Sequence, residues 1–141
     1  MRRVAKSGGA LVACVWDFAD GMPLLTALWD AALALDADRA RSLGAGVRKT
    51  YAQPDKLEGL WRESGLERVE LGQVEAWAEY ADFEDLWYPF TEGVGGIGKF
   101  LGAVDERSHE QLKRDAWRRL GEPGSSFCLM ARAFYVRGLA R

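Results

Sequence analysis

Ser7-Gly8-Gly9-Ala10-Leu11-Val12-Ala13-Cys14-Val15-Trp16 is the stretch on which the reading of this chain turns. Two glycines punctuate it, and the run from Ala10 to Trp16 is apolar throughout with β-branched Val12 and Val15, the composition of a buried strand. Upstream, Met1 to Lys6 carries Arg2, Arg3 and Lys6 and reads as the last turn of a helix stopped by glycine, its cations near the helix's negative pole. The chain is therefore expected to open in mid-helix, as a truncated domain would. Downstream, Asp17-Phe18-Ala19-Asp20-Gly21 leaves the C-terminal end of the strand, the edge at which open α/β sheets bind ligands. Asp17 and Asp20 are the carboxylates of interest there, although each has the simpler role of capping or solvating the turn before Pro23.

Helical spacing follows. Pro23 to Leu35 places Leu24, Leu25, Leu28, Ala32 and Leu35 on one side, with Pro23 suited to a first turn. A polar passage rich in Arg and Gly leads to Tyr51, and Gln53-Pro54-Asp55 opens a second helix carrying Leu57, Leu60 and Trp61 that ends near Ser64-Gly65. Glu67 to Tyr80 alternates through Val69, Leu71, Val74, Ala76 and Ala78 as one long strand, or as a bent one broken near Gly72. Asp82 to Phe90 is a short helix capped by Asp82. Asp105 to Leu120 is a charged amphipathic helix with Leu112, Ala116 and Leu120 buried, stopped by Gly121-Glu122-Pro123-Gly124. Phe127 to Val136 is a closing strand. The order of elements is that of an α/β layer with three strands.

Composition narrows the function. A chain of 141 residues with 48% hydrophobic and 28% charged residues suits one globular domain spanning 1–141. The net charge of -2, with both signs interleaved, gives no footprint for nucleic acid. No stretch approaches the roughly 20 apolar residues of a membrane-spanning helix. Met1-Arg2-Arg3 ahead of Leu11-Val12-Ala13-Cys14 has the outline of a lipoprotein signal, but Ser7-Gly8-Gly9 interrupts the apolar region such a signal needs. Cys14 and Cys128 lie inside apolar runs without metal-type spacing, which points to two buried thiols in a reducing, cytoplasmic compartment. Six Trp are read first as core, with some near element ends where a flat ring could wall a pocket.

Two motifs tempt and fail. Gly93-Val94-Gly95-Gly96-Ile97-Gly98-Lys99-Phe100 matches G-x-G-x-x-G and most of a phosphate loop, but Phe100 stands where a magnesium-binding hydroxyl belongs and no buried strand precedes it. It is expected to be a loop between helices. His109, the single histidine, is expected on a solvated helix face, so neither a catalytic triad nor a zinc site is predicted.

The run from Met1 to Val12 resembles the helix-to-strand junction "MxRVLKPGGxLV" that introduces the fifth strand of class I S-adenosylmethionine-dependent methyltransferases, with Ser7 in place of the proline. The similarity continues through Cys14-Val15-Trp16-Asp17, through Tyr51 to Leu57 and Leu60 to Leu66, through Ala81 to Phe90, and through Ala131 to Gly138. The resemblance implies the C-terminal half of an incomplete Rossmann-like sheet. Strands five, six and seven would be Ala10 to Trp16, part of Glu67 to Tyr80, and Phe127 to Val136, the last antiparallel between the other two. Helical insertions that lid the substrate would occupy 23–43 and 82–120. The family's glycine-rich loop and acidic residue, which hold S-adenosylmethionine, have no counterpart in this sequence, so no cofactor residues carry over. The methyl acceptor would be a small molecule lined by Trp16, Asp17, Phe18, Trp29 and Trp87, and the family's rate would come mainly from positioning. Whether this chain is an enzyme is left open, with activity by itself not expected. The alternative is a non-catalytic binding or assembly module whose exposed strand edge meets a second copy or a separate N-terminal half.

Overall fold

A computed structural model describes residues 4–46 and 52–141. Its elements in chain order are β1 (Ala10–Trp16), α1 (Pro23–Leu35), α2 (Ala37–Ser42), α3 (Pro54–Glu63), β2 (Glu67–Tyr80), α4 (Phe83–Thr91), α5 (Gly95–Leu101), α6 (Glu106–Arg119) and β3 (Phe127–Leu139). The expected helical turn at Met1 to Lys6 falls partly on residues 1–3, and the polar passage ends in 47–51, outside the described residues. The chain divides into two compact units: Met1–Met22, Arg48–Ala76 and Met130–Arg141 form one, and Pro23–Val47 with Trp77–Leu129 the other.

The strands form an open antiparallel sheet in the order β1-β3-β2, so the last strand lies between the other two. β1 pairs with β3 from Ala10↔Leu139 to Trp16↔Ala133. The ladder is anchored by Ala140 N–H donating to the Gly9 carbonyl at 2.9 Å and Asp17 N–H donating to the Arg132 carbonyl at 3.0 Å. Backbone direction alternates along a strand. Residues 9 and 17 both turn toward β3, so the odd-numbered residues between them do too. Ala10, Val12, Cys14 and Trp16 therefore direct their backbone N–H and C=O groups away from the sheet.

In the first unit α3 covers one face of this sheet. Its Leu57 and Trp61 are buried with Leu11, Val136 and Ala140, and Ala13, Val15, Val69, Leu71 and Phe134 pack around them. The opposite face stays open, which corrects the expectation that β1 is buried. Val12 is 57% exposed and Trp16 47%, and Leu11 is the one residue of β1 that is buried. An apolar run implies two covered faces only when helices lie on both sides. Among the described residues of this unit one helix, α3, packs on the sheet, and β1 is an edge strand. Cys14 and Cys128, expected to be buried, are both free and exposed. β3 also runs past its expected end at Val136 to Leu139.

The second unit is a helical cluster. Phe100, Leu28, Leu86, Ile97, Leu101 and Leu112 are fully buried at its centre. α1 forms over its expected span, with Ala27, Leu28, Ala31 and Ala32 buried; Leu24 and Leu35 pack at the margin. Asp36, Asp82 and Asp105 cap α2, α4 and α6, each carboxylate accepting from a backbone N–H three residues on. α2 lies in the passage read only as polar, within the expected 23–43 helical insertion; there Asp36 also holds Arg39 Nε at 3.0 Å while Arg39 Nη1 donates to the Ala103 carbonyl at 2.8 Å. His109 is half-buried, against the expected solvated position: its Nε2 donates to the Leu101 carbonyl at 2.6 Å. Leu120, expected to be buried, is partly so.

The glycine-rich segment is likewise no loop. Gly95 opens α5, and its smallest residues are there for packing. A Cβ at Gly96 would lie 2.7 Å from the Trp29 ring, and one at Gly98 would overlap the backbone of Gly93. In α3, Gly59 has open space around the same position. Two alanine substitutions should therefore move stability in opposite directions. Gly59→Ala is expected to stabilise by about 0.5–1 kcal/mol through helix propensity. Gly98→Ala is expected to destabilise by about 1–3 kcal/mol, because a backbone contact must give way. Urea denaturation followed by circular dichroism reads both; equal effects at the two sites would refute the packing account.

Candidate functional site

On the open face of the first unit, alternation gathers side chains of one parity. Trp16 stands directly across from Ala133 and Cys14 across from Tyr135. On β2, Gly72 lies under Tyr135 so closely that a Cβ there would be 2.5 Å from its ring. At one end of this face Arg137 Nε donates to Glu70 Oε2 at 2.6 Å. At the other, Ala131 and Ala133 leave the floor low between taller neighbours. The result is a recess of about 750 Å³, walled by Cys14, Trp16 and Phe18 on one side and by Val74, Glu75 and Ala76 of β2 on the other, with Ala52 at its margin. Glu75 has the opposite parity to Val74 and Ala76 and turns its side chain to the other face, so the described side chains of the recess are apolar, and its volume suits a small organic ligand.

Asp17 sets the wall. It is 3% exposed, and both oxygens are engaged. Oδ1 accepts from the N–H groups of Ala19 and Asp20 at 3.1 and 3.2 Å. Oδ2 accepts from Arg132 Nε at 2.9 Å and Nη2 at 2.7 Å, two charge-assisted bonds on one oxygen that tie the first loop to the last strand. Gly21 closes the turn, its N–H donating to the Asp17 carbonyl and its own carbonyl accepting from Arg132 N–H at 2.8 Å. A side chain at Gly21 would collide with both partners of the ion pair. The backbone on either side of Asp17 is thus fixed, and with it Trp16 and Phe18.

Burial works against ionisation of Asp17, but the hydrogen bond from Arg132 and the two amides outweigh it and hold the carboxyl below its ordinary value.

Of the acceptor-lining residues expected from the sequence, Trp16 and Phe18 share the recess, and Asp17 underpins them. Trp29 and Trp87 belong to the second unit. Trp29 packs at the margin of that unit's core, and Trp87 is buried there between Phe83 and Phe90, at ring-centroid distances of 6.4 and 6.5 Å. Cys14, Val74, Ala131 and Ala133 were not anticipated. Their signal was the shared alternation of three strands, which becomes readable once the strand order places β3 in the middle. Asp20 is exposed at the turn. Among the described residues no group of three or more His, Cys, Asp or Glu could hold a metal ion. No helix among them is long and apolar enough to cross a membrane.

S-adenosylmethionine, the cofactor implied by the resemblance, finds no charged partner among the described side chains of the recess. Its carboxylate would meet no basic side chain in the described lining. The glycine-rich segment follows helix α4 and opens another helix, not the strand-to-helix turn that a nucleotide needs. No family model matches this chain, and no curated protein matches it.

The pair at the wall has a measurable consequence. A carboxyl with a lowered folded-state pKa contributes stability above its unfolded value and loses it as pH falls through the folded one. The acid limb of the stability profile should therefore flatten in Asp17→Asn. At neutral pH Asp17→Ala should cost about 2–3 kcal/mol, below the range for a fully buried pair because Arg132 is partly exposed. Thermal melts between pH 3 and pH 7 check both; an unchanged acid limb in Asp17→Asn would show the pair to be incidental.

Proposed function

We propose that this chain is the acceptor-binding part of a methyltransferase-like fold, taking a flat, largely apolar small molecule in the recess beside Trp16. The observation that carries the reading is the strand order. A closing strand that lies between the other two and runs antiparallel to the first is the arrangement implied by the resemblance for strands five, six and seven. Two further features support it. The recess opens at the C-terminal end of β1, where such sheets bind ligands. The segments assigned to the lid, 23–43 and 82–120, gather in one compact unit with its own core.

In this reading Trp16 and Phe18 offer rings to a planar ligand, and the small residues of β3 let it lie close to the sheet. An anionic ligand is disfavoured, since the described side chains of the recess are apolar and offer no compensating cation. The chain's contribution to methyl transfer is orientation of the acceptor. The free, exposed thiols fit a reducing, cytoplasmic setting.

The test uses 2-naphthol, its methyl ether and 2-naphthoate. Titration calorimetry should show the naphthol and the ether binding with similar affinity, as an acceptor and its product must, and the naphthoate binding at least about tenfold more weakly. Trp16→Ala should lower naphthol affinity by about tenfold, the loss expected for a ring contact. The chain alone should bind no S-adenosylmethionine and yield no methylated product in a single-turnover assay. Naphthoate binding as tightly as naphthol, or affinity unchanged in Trp16→Ala, would rule out this site.

A further inference from the structure

We infer that the free edge of β1 is a homodimer interface, in which two copies pair antiparallel about a twofold axis at Ala13. This does not rest on the methyl-transfer reading: a second copy takes the edge that a separate N-terminal half would otherwise occupy. Among the described residues β1 ends the sheet, and its outward backbone groups belong to Ala10, Val12, Cys14 and Trp16. An edge of this kind is normally blunted by a charge, a proline or a bulge. Ala-Leu-Val-Ala-Cys-Val-Trp has no charge and no proline, and its register against β3 is unbroken.

The strand is also self-complementary. Pairing two edges requires an outward residue of one copy to face an outward residue of the other. Because β1 both begins and ends on an outward residue, complete overlap meets this condition: Ala10 faces the second copy's Trp16, Val12 its Cys14, and Ala13 faces itself across the axis. Large side chains meet small ones, so the pairing brings no two bulky rings together.

Charge at the ends agrees with an antiparallel arrangement. Lys6 lies exposed before β1 and Asp20 exposed after it. Antiparallel pairing brings the basic end of each copy to the acidic end of the other. A parallel arrangement would set like charges together at both ends.

The register makes the experiment specific. Ala13 at the axis is a non-hydrogen-bonded pair, with Cα atoms about 4.5 Å apart, inside the range a disulfide spans. In a chain with Cys14→Ser and Cys128→Ser, mild oxidation of Ala13→Cys should yield a covalent dimer at least about tenfold faster than Val15→Cys, whose opposite number is Leu11 of the second copy. In the unmodified chain, sedimentation velocity should show a concentration-dependent dimer. Val12→Pro removes an outward N–H and no bond to β3, so it should return the chain to monomer with its circular dichroism spectrum retained. A monomer at every concentration, or cross-linking as fast at position 15 as at 13, would overturn the proposal, whether or not the proline variant folds.

Discussion

The antiparallel ladder between Ala10–Trp16 and the last strand is the constraint on which the rest of the first unit depends. It joins residues more than a hundred positions apart, so its loop-closure entropy is offset only when the contacts it makes possible are formed. Those contacts are specific. α3 lays Leu57 and Trp61 against Leu11 and Val136, and the doubly hydrogen-bonded Asp17 to Arg132 ion pair locks the end of the ladder. A slip of one residue would carry Leu11 to the open face and Val12 to the covered one. It would also separate Asp17 from Arg132 and leave a buried carboxylate without its cation, which is more costly than any single apolar contact in this small core.

That register determines the chemistry available on the open face. It sets Trp16 over Ala133 and places the Glu70 to Arg137 pair at the opposite end. The face is therefore divided, charged near Ala10 and apolar near Trp16. A planar ligand gains from burial only at the apolar end, where the floor is lowered by Ala131 and Ala133. The turn from Asp17 to Gly21 acts as the rigid support for this wall, since every polar group named in it is satisfied within the turn or by Arg132.

Much of this architecture was legible in the sequence. Periodicity identified α1, α3, β2 and α6 because their apolar spacing matches their structure, and Asp82 announced its cap. What was misread was context. The run from Ala10 to Trp16 has the same letters whether one face is covered or two, and nothing local distinguishes an edge strand from a central one. α2 was not singled out within its polar passage because it has no apolar spacing to announce it, and the bond from Arg39 to the Ala103 carbonyl depends on tertiary structure. The glycine run was misread because glycine serves both turns and close approach, and only the position of Trp29 shows which use applies at Gly96. Trp16 and Phe18 could be picked out from their place after a strand. Ala131 and Ala133 could not, since small residues announce a floor only after the neighbouring strands are known.

The same alternation lets one short strand serve two purposes. Along β1 the even-numbered residues turn their side chains to the open face and their backbone groups to the free edge. A strand added at the edge engages the backbone, in the plane of the sheet, whereas a ligand in the recess engages side chains that stand perpendicular to that plane. The two directions do not compete. In the twofold pairing Trp16 gains Ala10 of the second copy as its lateral neighbour, a side chain too small to reach into the recess. Pairing would order the main chain that carries Trp16 without covering its ring, so self-association at the edge leaves the ligand surface in place and makes it less mobile.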